Sequence, residues 1–88
     1  MVIKEEDFIL EYEENAPGLW NLQLLRTVKP RGGQPRDEFQ DEGYGYSMTH
    51  ALNIVIHYRL AKKKDTYTLK EFLQEYKQQL VKLKQLLQ

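Results

Sequence analysis

The chain has 88 residues, no cysteine and a formal net charge of zero, from 13 basic and 13 acidic side chains. That length implies one domain, residues 1–88, with a modest core. Lack of cysteine excludes disulfides and thiolate metal centres, no apolar run approaches the roughly 18 residues of a membrane span, and the N-terminus Met-Val-Ile-Lys-Glu-Glu-Asp has no signal-peptide core, so a cytoplasmic protein outside membranes is expected.

In chain order, residues 7–13 alternate, with Phe8, Leu10 and Tyr12 on one face and Asp7, Glu11 and Glu13 on the other. Such a period of two marks a half-buried strand. Ile9 interrupts the polar face and is a candidate contact for a second layer or a partner. Asn15-Ala16-Pro17-Gly18 reads as a turn, because Pro presets φ and Gly permits positive φ. Residues 19–28 alternate again through Trp20, Leu22 and Leu24. Residues 29–36, with Pro30, Pro35 and the Gly32-Gly33 pair, form a basic loop that cannot lie inside a sheet. Residues 37–46 return as a third strand through Phe39, Tyr44 and Tyr46, with a bulge or close approach at Gly43 and Gly45.

Ser47 is placed to N-cap a first helix over residues 48–62, whose apolar face holds Met48, Ala51, Leu52, Val55, Ile56 and Tyr58. Thr68 and Glu71 form a capping box for a second helix over 69–87, and Tyr67 and Phe72 stand at hydrophobic-staple positions. The expectation is an α+β fold of order β-β-β-α-α, with two helices covering a three-stranded antiparallel sheet. Leu69, Phe72, Leu73 and Tyr76 are expected to pack inward. Leu80, Leu83, Leu86 and Leu87 are expected to project and mediate self-association, as a homodimer.

Charge is unevenly placed. Residues 1–46 carry ten acids and five bases, net −5; residues 47–88 carry eight bases and three acids, net +5. A split of this kind steers partners or favours head-to-tail association, or is spent within the fold. Lys29, Arg31 and Arg36 in the loop, with Arg59, Lys62, Lys63 and Lys64 at the end of the first helix, are the candidate contacts for an alternative function, binding of nucleic acid. No zinc finger, RNP motif or basic zipper accompanies them.

The constellations that could carry catalysis are incomplete. Gly43-Tyr44-Gly45-Tyr46-Ser47 lacks the third glycine of a dinucleotide fingerprint and the Gly-Lys-Ser/Thr of a Walker motif. Ser47 and His50 are close in sequence, but no orienting third group accompanies them. His50 and His57 stand seven apart, about 10 Å along a helix, too far to share one metal. The reading is a non-enzymatic protein with no cofactor.

From Tyr44 onward the chain resembles a group of small, uncharacterised phage and prophage proteins. The matching residues are Tyr44, Gly45, Ser47, Ala51, Leu52, Arg59, Thr68, Leu69 and Glu71. The match spans about residues 42–76 and departs at His50, where relatives carry Glu or Gln. The resemblance implies an accessory protein of phage type that contacts a host or phage protein, and it brings no catalytic residues with it.

Overall fold

The computed structural model describes residues 1–86. The elements run β1 (Val2–Lys4), β2 (Phe8–Tyr12), β3 (Leu19–Val28), β4 (Arg36–Ser47), α1 (Met48–Lys63) and α2 (Leu69–Leu86). The fold is α+β, an antiparallel sheet followed by two helices, and the sheet has four strands in the order β1-β2-β3-β4. The three strands expected from the sequence are therefore one too few. β1 holds only three residues, too short for an alternation to show, and its pairing is tertiary: Ile3 lies opposite Leu10 and Lys4 opposite Ile9.

The chain divides into two compact units, Met1–Ala51 and Leu52 onward, so the boundary falls inside α1. The charge asymmetry follows the same division. Residues 47–51 hold no Asp, Glu, Lys or Arg, so the first unit carries net −5 and the second net +5.

In the first unit, alternation on β2 and β3 puts Phe8, Leu10, Trp20, Leu22 and Leu24 on one face, and all five are buried. Tyr12 meets Trp20 edge-to-face at 5.2 Å between centroids. The turn before β3 closes where Leu19 N–H donates to Ala16 O at 3.1 Å, with Pro17 and Gly18 central. Gly18 has φ of 82°, which a side chain at that position would oppose.

β3 and β4 pair without irregularity from Gln23–Asp41 to Val28–Arg36. Beyond that stretch Leu22 faces Gly43 and Trp20 faces Tyr46, so β4 carries an extra residue at each step. The bulge expected around Gly43 and Gly45 is present, and Gly43 is where it is tightest. A Cβ there would collide with the Tyr46 hydroxyl and ring, so the Tyr46 phenol occupies the space a side chain would need.

In the second unit, Leu52, Val55, Ile56, Leu60 and Leu83 are buried. α1 and α2 run antiparallel, as their contacts show. Tyr76 hydroxyl donates to Asn53 Oδ1. Tyr67 hydroxyl donates to Leu60 O at 2.6 Å. Lys63 Nζ meets Glu75 Oε2 at 2.8 Å. The start of α2 is built as its sequence requires. Glu71 N–H donates to Thr68 Oγ1 at 3.2 Å, Thr68 N–H donates to Glu71 Oε1 at 3.4 Å, and Tyr67 stands edge-on to Phe72 at 5.9 Å. Two orphan donors are satisfied reciprocally and the entering chain is pinned by the aromatic pair.

Candidate interaction surfaces

Packing of α2 departs from the sequence expectation at both ends. Leu69 is 74% and Leu73 49% exposed, whereas both were expected to face inward. Leu83, expected to project, is 1% exposed, and Leu80 is half-buried. The Leu86 side chain and Leu87 lie outside the described residues. The reason is angular. At about 100° per residue, Phe72, Tyr76, Leu80 and Leu83 cluster within one quadrant, while Leu73, Lys77 and Val81 step progressively round the helix. Leu69 shares the inner angle but stands on the first turn, where the aromatic staple of Tyr67 and Phe72 does the local packing.

The exposed apolar residues of α2 recur at four-residue spacing: Leu69, Leu73 and, past Lys77, Val81 at 55% exposure. A shallow hollow of about 380 Å³ lies among Lys77, Gln78, Val81 and Lys82. Lys70, Lys77, Lys82 and Lys84 are all exposed, and none meets a carboxylate among the described residues. The two acids of this helix are already engaged. Glu71 is held by Lys64 and Glu75 by Lys63. The Lys64 ammonium, followed by the Thr68 capping bonds, holds the Glu71 carboxyl below its ordinary range. The hydrogen bond to Glu75 raises Lys63 above the usual ammonium range.

These pairs also account for the end of α1. Of the residues proposed from sequence to meet nucleic acid, Lys63 and Lys64 bond the α2 acids, Lys62 lies 4.8 Å over the Tyr58 ring, and Arg59 donates to Gln79 at 3.4 Å. Lys29 and Arg31 are exposed, and Arg36 meets Glu38 at 3.4 Å. The loop residues belong to the first unit and the helix-end residues to the second.

On the sheet, the face opposite the buried one carries Ile9, Leu25 and Phe39, each half-buried, with Gln23 between Ile9 and Asp41 in the register. Lys4 Nζ lies 5.5 Å from the centre of the Phe39 ring. Around this strip stand Glu11, Asp37 and Asp41, all exposed. Asp37 accepts from the Thr27 hydroxyl at 2.6 Å, and Asp41 from Gln23 Nε2 at 3.0 Å and the Tyr44 hydroxyl at 2.7 Å. The Tyr44 bond, then that of Gln23, holds Asp41 below the ordinary carboxyl range, and the same contact raises the Tyr44 phenol. Glu38 and Glu42 are paired with Arg36 and Arg26.

Ser47 and His50 meet through the His50 backbone at the start of α1. Ser47 Oγ accepts from the His50 backbone N–H at 3.2 Å, the N-cap expected of it, and the imidazole lies against Tyr46 at 4.8 Å. His57 lies against Phe72 and Tyr76. Among the described residues, no group of three or more His, Cys, Asp or Glu is placed to hold a metal ion, and no helix is long and apolar enough to cross a membrane. Comparison with protein-family models, with curated proteins and with solved structures returned no match.

Proposed function

We propose that the chain is a non-enzymatic, cytoplasmic accessory protein of phage type that acts by protein–protein contact, itself included, through the outward face of α2. The phage setting rests on the resemblance of residues 42–76. The observation that carries the contact is the exposure of Leu73 and Val81, with Leu69 exposed at the first turn, on a helix whose inner face is already occupied. Leucines held in water at this spacing gain about 25 cal/mol for each Å² of apolar surface a partner covers. The exposed lysines of α2 suit such a face, since a lysine stem covers apolar surface while its ammonium stays in water.

Light scattering on a sizing column tests the proposal. The wild type is expected above the monomer mass. Leu73→Lys combined with Val81→Lys is expected at the monomer mass with an unchanged circular-dichroism melt, because both side chains are exposed. A wild type that is monomeric at every concentration sinks the self-association, and an associated double variant places the contact elsewhere.

A further inference from the structure

We infer that the α2 face of one copy docks on the acidic second face of the sheet of another copy, head to tail, rather than on α2 of that copy. This rests on the preceding reading that α2 is the contact face, and names what covers it.

Charge decides between the two occupants. An antiparallel pair of α2 helices centred on Lys77 would bring Leu73 beside the Val81 of a second copy, a fair apolar match. The same pairing sets Lys77 against Lys77 and Lys70 near Lys84, and a parallel pairing also brings like charges together. Neither Glu71 nor Glu75 is free to relieve this, because Lys64 and Lys63 hold them. Like charges facing across a contact oppose it and steer the surfaces apart.

The second face of the sheet has the complementary pattern. It offers a half-buried apolar strip, Ile9, Leu25 and Phe39, where the outward face of α2 offers the exposed Leu73 and Val81. It offers Glu11, Asp37 and Asp41 where α2 offers lysines. Among the described residues Asp37 and Asp41 are hydrogen-bonded by neutral groups, so they are oriented without being neutralised. Lys4 already shows how an ammonium sits on this face, 5.5 Å from the Phe39 ring centre. The contact is heterologous: each copy uses one face and leaves the other for the next, so growth continues until a ring closes.

Sedimentation velocity at low and high salt, with a charge-swap pair, tests it. Wild-type association is expected to weaken roughly tenfold between low and high salt, as exposed charges become screened. Lys77→Glu with Lys82→Glu on the helix, and Glu11→Lys with Asp41→Lys on the sheet, each change exposed residues only. Both variants are expected to be folded monomers alone and to associate when mixed in equal amounts. A sheet variant that associates like the wild type overturns the head-to-tail contact while leaving the α2 reading intact. Failure of the mixture to associate, when each variant alone is monomeric, shows that the two surfaces do not meet. A wild type that never associates overturns the α2 self-contact itself, and this inference with it.

Discussion

The sheet unit and the helical unit treat their carboxylates differently. In the helical unit, Glu71 and Glu75 each sit against a lysine, so charge cancels where it is placed. In the sheet unit, Asp37 and Asp41 are bonded by Thr27, Gln23 and Tyr44, none of which carries a charge. Satisfying a carboxylate and neutralising it are separate acts. At Asp37 and Asp41 the sheet does the first without the second, whereas its Glu38 and Glu42 are neutralised by Arg36 and Arg26. The helices pair off their acids, and Lys70, Lys77, Lys82 and Lys84 along α2 meet no carboxylate among the described residues.

The largest effect is expected inside the helical unit. Leu83→Ala should cost about 2–5 kcal/mol in a denaturant melt, because the side chain is buried and its removal leaves a cavity. Val81→Ala, two residues away and exposed, should stay within about 0.5 kcal/mol. Equal costs would mean that the inner and outer faces of α2 are wrongly drawn.

The sheet unit has a steric counterpart. Gly43→Ala should cost about 1–3 kcal/mol, since its Cβ meets the Tyr46 ring. In a Tyr46→Ala background the same change should cost much less, and a double-mutant cycle would show the coupling. Additive costs would place the clash elsewhere.

Next in size is the cap. Thr68→Ala should destabilise by about 1 kcal/mol by orphaning a backbone N–H at the start of α2.

The smallest effect separates the two kinds of carboxylate most directly. Both Glu71 and Asp41 titrate below their ordinary values of 4.5 and 3.8. Each therefore contributes stability that is complete above its unfolded value and is lost as pH falls through the lower folded one. The causes differ: a lysine leads for Glu71, a tyrosine hydroxyl for Asp41. Carboxyl resonances followed by NMR should show the Glu71 depression shrinking with added salt and the Asp41 depression persisting. The same salt response at both sites would erase the distinction.

Much of the local structure was legible in the residues. β3 runs over Leu19–Val28 as its alternation required, and α1 and α2 start where Ser47 and Thr68 cap them. Gly43 announced the bulge. β1 was not legible, because three residues carry no period and only pairing with β2 makes Val2–Lys4 a strand. The α2 stripe was half legible. Its apolar positions were plain, but which of them face inward was not, and Leu83 and Leu73 exchanged places with respect to the expectation.

The sequence by itself determined what depends on near neighbours: the caps, the turn at Pro17-Gly18, the alternation of β2 and β3, and the division of charge into an acidic first half and a basic second. These follow from backbone sterics, hydrogen bonds a few residues long and arithmetic. Only the tertiary structure decided which lysines are spent and which remain, since Lys63 and Lys64 reach acids 12 and 7 residues away across a helical hairpin. Likewise only packing chose Leu83 over Leu73 for burial, because a helix offers several apolar angles and the neighbouring element takes one.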